Sequence, residues 1–175
     1  VDRRYERDIV LCVARIEGRK NQLNVIRALK GTQFKVVFIG SESPNQKMYV
    51  EQCHHEATGN MTFIPHLSQE ELIGYYSRAR VHVLASWFET TGLSSLEAGV
   101  MGCNLVIGKR GDVAEYFDNF VYYCDPENIN SIKDAVNNAW NKEPSKDLKQ
   151  HILNNFTWEH AAEITLTAYK NILNR

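Results

Sequence analysis

The chain has 175 residues, which is the length of one ordinary domain with a full hydrophobic core. Hydrophobic residues make up 43% of the chain and its formal net charge is -1, so its composition excludes a disordered chain and a strongly basic nucleic-acid binder. No apolar run is long enough to cross a bilayer and no signal peptide is visible, so we expect no transmembrane segment.

The cysteine pattern favours reduced thiols. The four cysteines are Cys12, Cys53, Cys103 and Cys124, and no two of them have the Cys-x-x-Cys spacing. Cys12 and Cys103 lie in or beside apolar segments. We therefore expect four mostly buried thiols rather than disulfides or a metal site.

Short apolar segments alternate with helical patterns along the chain, after a charged stretch at 1–8 that is typical of a linker. The predicted strands are residues 9–14, 35–40, 61–64, 81–85, 104–108 and 121–123. Helices are predicted between them, and the pattern after Pro126 is wholly helical. This alternation predicts an α/β domain over 9–175, with a doubly wound parallel sheet of about six strands, helices on both faces and a helical C-terminal tail.

Capping residues predict where two of the helices begin. Ser68 followed by Glu71 forms a capping-box pattern. Thr90 or Thr91 is expected to cap the helix after the fourth strand, because a hydroxyl there can accept a hydrogen bond from a free amide of the first turn.

Polar clusters follow four of the predicted strands. They are Arg15 to Lys20, Pro65 with His66, Glu89 to Thr91, and Lys109 to Gly111. In a doubly wound sheet, ligands bind outside the carboxyl ends of the strands, near the point where the strand order reverses. The clusters therefore predict a ligand site at this edge of the sheet.

Arg15 and Lys20 lie five residues apart in the turn after the first strand. They could clamp a diphosphate, or they could be two solvated surface cations, and their place at a strand end favours the diphosphate. His66 could stack on a base or bond to it, or it could be incidental.

Glu89 and Glu97 are separated by seven residues that begin a helix. Free amides and the positive end of the helix dipole lie between the two carboxylates, which suits a ligand that carries both phosphates and hydroxyls. The alternatives are structural carboxylates, a metal pair or a glycosidase pair. No further carboxylate or histidine cluster accompanies them, and one strand-helix unit supplies both, so binding along a ligand is favoured.

These segments resemble the C-terminal, donor-binding domain of the retaining GT-B glycosyltransferases of group 1. The stretch from Glu89 to Gly102 matches the family's Glu-x7-Glu signature. Three further segments resemble its other motifs: Ala14 to Ile16 with Lys20 and Asn21, Phe63 to Ser68, and Arg110 to Glu115. The resemblance extends from about Ile9 to Leu173 and implies a Rossmann-like fold.

The resemblance also implies a role for each candidate residue. Arg15 and Lys20 would hold the donor diphosphate, and the amides of Thr91, Gly92 and Leu93 would meet its distal phosphate. Glu97 would accept from the ribose hydroxyls. Glu89, the candidate catalytic residue, would contact the sugar, and the backbone near His66 and Leu67 would meet the base. This sequence departs from the family pattern at five positions: Ala14, Asn21, Pro65 and Arg110 replace glycines, and Thr91 replaces the usual aromatic residue.

In the family, a separate N-terminal domain binds the acceptor, so the resemblance implies a donor half that folds alone but does not transfer sugar. The activity expected of the whole protein is retaining hexosyl transfer from a UDP- or GDP-sugar to a sugar or lipid-linked acceptor, in polysaccharide biosynthesis. No metal or other cofactor is expected. The location expected is cytoplasmic, with any membrane contact made through the N-terminal domain. A non-catalytic nucleotide-sugar binding module and a sugar-nucleotide epimerase of GT-B shape remain alternatives.

Overall fold

A computed structural model describes residues 6–173. The strands are β1 Ile9–Val13, β2 Lys35–Ile39, β3 Met61–Ile64, β4 Ala79–Leu84, β5 Asn104–Gly108 and β6 Tyr122–Cys124. The helices are α1 Gln22–Leu29, α2 Lys47–Glu56, α3 Gln69–Arg78, α4 Leu93–Val100, α5 Val113–Phe117, α6 Ile129–Trp140, α7 Lys146–Asn155 and α8 Trp158–Leu173.

The six strands form one sheet in the order β3-β2-β1-β4-β5-β6, and every pair in it is parallel. The strand order reverses between β1 and β4, which are neighbours although two strands separate them along the chain. This topology confirms the predicted Rossmann-like, doubly wound α/β fold with a helical C-terminal tail. It also brings the polar turns after β1 and β4 to the same edge of the sheet.

Two apolar layers cover the faces of the sheet. Helices α1, α2 and α6 pack on one face through residues such as Val25 and Ile132. Helices α3, α4, α5 and α7 pack on the other face, where Leu72, Phe117 and Ile152 are buried. The central strands β4 and β5 are almost wholly buried, as expected of parallel strands covered on both faces.

The predicted helix starts had different outcomes. The Ser68 and Glu71 capping box is confirmed, because each side chain bonds to the other residue's backbone amide. The prediction that Thr90 or Thr91 caps α4 is wrong. The cap is Gly92, which has a left-handed conformation with φ of 69° and makes no side-chain cap bond. Glycine adopts this conformation without the steric penalty that a threonine would meet.

The four cysteines are free and buried, in agreement with the sequence prediction.

Of the stretch predicted as a linker, 1–5 lies outside the described residues. Arg7 donates to the carbonyl oxygens of Ala79 and Met101, at 2.6 Å in each case. Asp8 pairs with both Lys35 and Arg78.

Helix α8 differs from the others because none of its residues is buried. Its exposed apolar side chains include Trp158, Ile164, Tyr169 and Leu173. Within residues 6–173, no helix is both long and apolar enough to span a bilayer.

Candidate functional site

A cavity of about 1140 Å³ opens at the carboxyl ends of β1 and β4, where the strand order reverses. Seven of the nine predicted site residues line it: Arg15, Lys20, Glu89, Thr91, Gly92, Leu93 and Glu97. His66 and Leu67 follow β3, which is the edge strand, and they do not line this cavity. The structure therefore groups the predicted phosphate, sugar and ribose contacts and leaves the predicted base contact apart from them.

The turn after β1 is rigid because Asn21 anchors it. A short 3-10 turn, Gly18–Lys20, carries Lys20 into the cavity and ends at Asn21. Asn21 has a left-handed backbone with φ of 59°, a conformation that asparagine tolerates better than most residues. Its side-chain amide donates to the carbonyl oxygens of Ala85 and Pro126, at 2.9 and 2.8 Å. An asparagine can therefore replace the glycine of the family pattern here.

The turn after β5 fixes the position of Glu89. The Glu89 amide donates to the Arg110 carbonyl at 3.3 Å, and the Asp112 amide donates to the Glu89 carbonyl at 2.9 Å. Gly111 lies between these bonds with φ of 88°, and a Cβ built on it would lie 2.0 Å from the Glu89 carbonyl oxygen. Any side chain at this position would displace the backbone of Glu89.

The carboxylate of Glu89 is paired with two cations. Lys20 Nζ donates to Glu89 Oε1, and Arg19 Nη1 lies 3.8 Å from the same oxygen. Arg19 Nη1 also donates to the Phe88 carbonyl at 3.2 Å, and the Arg19 carbonyl accepts from the Trp87 amide at 2.9 Å. These contacts join the turn after β1 to the segment after β4, and the residue Glu89 is only 5% exposed.

Arg15 is exposed at the rim of the cavity. Its Nη1 atom lies 3.6 Å from Glu17 Oε2, and 61% of its side chain is accessible to solvent. An exposed guanidinium in a long ion pair can rearrange at little cost, so Arg15 can turn to an anion that enters the cavity.

The first turn of α4 presents unpaired amides to the cavity. Gly92 accepts from the amides of Ser95 and Leu96, at 2.8 and 3.2 Å. Within residues 6–173, the amides of Thr91, Gly92 and Leu93 have no backbone acceptor. These groups and the positive end of the helix dipole make this end of α4 a suitable partner for an anion.

Glu97 lies on the cavity side of α4, where two polar side chains hold its carboxylate. The Tyr76 hydroxyl donates to Glu97 Oε2 at 2.8 Å, and Gln69 Nε2 donates to Oε1 at 3.3 Å. Burial and the nearby Glu97 charge raise the pKa of Tyr76, so it remains a donor at any physiological pH. These two bonds supply the hydrogen-bond donors that a carboxylate at this position on α4 requires.

Apolar side chains also line the cavity. They include Ile73 and Leu93, and also Phe156, Trp158 and Ile164 at or near the start of α8. The Lys109 to Gly111 cluster lies outside the cavity. In that cluster, Arg110 pairs with Asp125 and Glu127, and its guanidinium lies over the Trp87 ring.

The sequence did not predict the contacts that four residues make with Glu89 and Glu97. Arg19 was included only as part of the cluster after the first strand, although it contacts the same carboxylate as Lys20. Nothing in the sequence links Tyr76 or Gln69 to a carboxylate more than 20 positions away. Gly111 was included only as the end of the cluster after the fifth strand, and its contact with Glu89 depends on the pairing of β4 with β5.

This chain is similar to curated proteins over most of its length. The curated relatives include the glycogen synthase of Mycobacterium tuberculosis, which is 27% identical over 91% of this chain and 42% of that protein. The chain thus spans less than half the length of this relative. A second relative, described as an uncharacterized glycosyltransferase of Methanocaldococcus jannaschii, is 25% identical over 93% of this chain and 44% of that protein.

Solved structures match the fold at lower identity. The C-terminal domain of a glycosyl transferase group 1 family protein from Francisella tularensis has a TM-score of 0.70 at 19% identity, over 90% of each chain. Anabaena HepE, solved in complex with UDP and glucose, has a TM-score of 0.81 at 16% identity, over 93% of this chain and 48% of that one. Residues 2–155 match the family described as "Glycosyl transferases group 1". With the match extending over most of its length and the fold in agreement, this chain belongs to the glycosyl transferases group 1 family.

Proposed function

We propose that this chain is the donor-binding half of a retaining glycosyltransferase and that it binds a nucleotide-diphospho-sugar in the cavity at β1 and β4. One observation carries the proposal: a single cavity contains the three cations Arg15, Arg19 and Lys20, the unpaired amides at the start of α4, and two glutamates whose carboxylates are already held in place. The cations and the amides suit a diphosphate. The two glutamates suit the hydroxyl groups that lie on either side of that diphosphate in a nucleotide sugar.

Each predicted residue has a role in this proposal. Arg15 and Lys20 contact the diphosphate, and the amides of Thr91, Gly92 and Leu93 contact its distal phosphate. Glu97, held by Tyr76, accepts from the ribose hydroxyls. Glu89, whose carboxylate is paired with Lys20 and Arg19, contacts the transferred sugar and is the candidate catalytic group.

The base is assigned to the backbone near His66 and Leu67. His66 is exposed and Leu67 is half-buried, so this loop lies at the surface of the domain. UDP is the first nucleotide to test, because HepE was solved with it, and GDP is the second. The positive charge that neutralises the diphosphate comes from Arg15 and Lys20, so donor binding is expected to persist in EDTA.

We propose that the acceptor binds to an N-terminal domain of the same protein, since the relatives are more than twice as long as the matched region. The whole protein would transfer a hexose with retention to a sugar or lipid-linked acceptor in polysaccharide biosynthesis. It would act in the cytoplasm, with any membrane contact made by the N-terminal domain. The isolated chain would bind donor weakly, because one wall of a cleft leaves the donor half solvated.

The test is a calorimetric titration of the chain with UDP-, GDP- and ADP-sugars. We expect one of them to bind, and we expect Lys20→Met to weaken that binding about tenfold or more, as loss of a charge-assisted contact does. Lys47→Met is the matched control, because Lys47 is an exposed lysine on α2 that does not line the cavity. Equal affinities for the wild type and Lys20→Met would refute the phosphate assignment.

A transfer assay tests the second half of the proposal. The chain and the full-length protein are incubated with the labelled donor and with candidate acceptors. We expect turnover only by the full-length protein. Turnover by the chain alone at a comparable rate would show that a second domain is not required.

A further inference from the structure

Lys20 and Glu89 are paired with each other, although each has a separate role toward the donor. Lys20 Nζ donates to Glu89 Oε1, and the two side chains are 16% and 7% exposed. A lysine ammonium is a compact point charge, so its attraction to a carboxylate weakens as it turns to a phosphate. Both partners are largely shielded from water, which makes this competition stronger than it would be at an exposed pair.

We propose that Glu89 competes with the donor diphosphate for Lys20 and thereby makes the site select a diphospho-sugar over a bare diphosphate. The inference rests on the proposed function and assigns to Glu89 a specificity role besides its sugar contact. A bare diphosphate draws the Lys20 ammonium from Glu89 and offers no hydrogen-bond donor to the carboxylate. A diphospho-sugar takes Lys20 away and offers hydroxyl donors to the same carboxylate.

The geometry determines which of the two partners moves. The backbone of Glu89 is held on both sides by the turn at Gly111, so its carboxylate has little freedom to withdraw. Lys20 has a flexible four-carbon side chain on a 3-10 turn that is fixed only at its backbone. The exchange therefore proceeds by rotation of the Lys20 side chain from Glu89 toward the phosphate.

Arg19 keeps Glu89 from being left without a cation during this exchange. Its Nη1 atom lies 3.8 Å from Glu89 Oε1, and its bond to the Phe88 carbonyl holds the guanidinium there. Burying an unpaired carboxylate is costly, so a second cation on the same oxygen lowers the cost of releasing Lys20. Arg19 is thus a positioning residue for Glu89.

The experiment measures the affinities of wild type and Glu89→Gln for inorganic diphosphate, for the nucleoside diphosphate and for the matching nucleotide sugar. Glutamine keeps the volume and removes the competing charge. We expect Glu89→Gln to bind inorganic diphosphate and the nucleoside diphosphate about fivefold more tightly, and the nucleotide sugar no more tightly than the wild type. Glu56→Gln, which removes a carboxylate paired with Arg27 outside the cavity, is the control and should change none of the three affinities.

A double-mutant cycle separates competition for Lys20 from the general effect of one fewer negative charge. In a Lys20→Met background, substitution of Glu89 by glutamine should no longer tighten diphosphate binding. The same gain in diphosphate affinity in both backgrounds would overturn the inference, because Glu89 would then act only by repelling the negative charge of the diphosphate. If Glu89→Gln does not fold, Glu89→Asp replaces it, since its shorter carboxylate withdraws from Lys20 and should give a smaller gain of the same sign.

The outcomes distinguish this inference from the proposed function. Failure of the wild type to bind any nucleotide or inorganic diphosphate would overturn both. Binding by the wild type, with an unchanged or lower diphosphate affinity in Glu89→Gln, would overturn the competition and leave the donor site standing.

Discussion

The Cα of Gly111 faces the carbonyl of Glu89 so closely that a Cβ on residue 111 would lie 2.0 Å from that oxygen. Two backbone bonds, to Arg110 and from Asp112, hold the strand-end segment in this position. This distance is far below that of any real Cβ contact. The nearest atoms all belong to the backbone of Glu89, so they cannot move aside by a side-chain rotation. A glycine in the turn after β5 is therefore a requirement for placing a glutamate in the turn after β4.

We predict that Gly111→Ala loses donor affinity as well as stability. Gly31 is the matched control, because it also has a left-handed φ, of 68°, but has no heavy atom within 4 Å of a built Cβ. Gly31→Ala should cost about 1 kcal/mol of unfolding free energy and leave binding intact. Gly111→Ala should cost more and should weaken donor binding. Chemical denaturation and calorimetry measure both, and equal effects of the two substitutions would contradict the placement role.

We predict that Glu97→Gln discriminates between ribose and dideoxyribose. The substitution keeps the volume of the side chain but removes the charged acceptor. Binding of the ribonucleotide should weaken by about tenfold, as loss of a charge-assisted bond does, while the 2′,3′-dideoxy analogue should bind with nearly unchanged affinity. Equal losses for the two ligands would show that Glu97 is a structural carboxylate.

Tyr76→Phe is predicted to give a weaker version of the same result. It removes the hydroxyl that donates to Glu97 Oε2 at 2.8 Å and leaves the buried ring in place. The ribonucleotide should bind a few-fold more weakly, because Gln69 alone then orients the carboxylate. The unfolding free energy should fall by about 1 kcal/mol. An unchanged preference for ribose over dideoxyribose would contradict a positioning role for Tyr76.

The sequence was sufficient to predict the fold because central parallel strands are buried on both faces and therefore appear in the sequence as predominantly apolar runs. The ends of the elements were less certain. Strand β4 begins at Ala79, two residues before its predicted start, and β6 ends at Cys124, one residue after its predicted end. The α4 cap was mispredicted because threonine and glycine can each begin a helix, and only the backbone conformation decides between them.

The cavity was predictable in outline from the rule that ligands bind at strand ends, but its internal contacts were not. The pair of Lys20 with Glu89 joins residues 69 positions apart, and it forms only because β1 lies beside β4. The bond from Tyr76 to Glu97 similarly depends on α3 and α4 sharing one face of the sheet. Contacts of this kind require the strand order, which a single sequence does not contain.

His82 is predicted to make the domain sensitive to acid. It lies in β4 between Leu11 and Leu105 of the neighbouring strands, and both ring nitrogens are buried without a hydrogen-bond partner in the described chain. Burial lowers the pKa of His82 from 6.5 to about 3. Between these pH values His82 is protonated in the unfolded chain but not in the folded chain, so the unfolding free energy falls as the pH drops below 6.5.

His82→Leu tests this prediction. Its loss of unfolding free energy between pH 6.5 and pH 5 should be smaller than that of the wild type by about 2 kcal/mol, since one pKa unit corresponds to about 1.4 kcal/mol. At neutral pH, where the ring is uncharged, the variant should be at least as stable as the wild type, because two unsatisfied nitrogens are removed. His55→Gln, at an exposed position, is the control. Identical pH slopes for wild type and His82→Leu, measured by urea denaturation, would contradict the assignment.

Removal of α8 is predicted to leave the rest of the domain folded. No residue of this helix is buried, and Trp158 is 78% exposed at its start. Deletion of residues 158–175 should therefore change the unfolding free energy by less than about 1 kcal/mol, as expected for a segment that contributes little burial. The contrasting deletion, 146–175, also removes α7 with the buried Leu148 and Ile152, and loss of two such side chains costs several kcal/mol. Thermal denaturation followed by circular dichroism distinguishes the two deletions. A large loss of stability in the shorter deletion would show that α8 packs on the domain more firmly than its exposed side chains indicate.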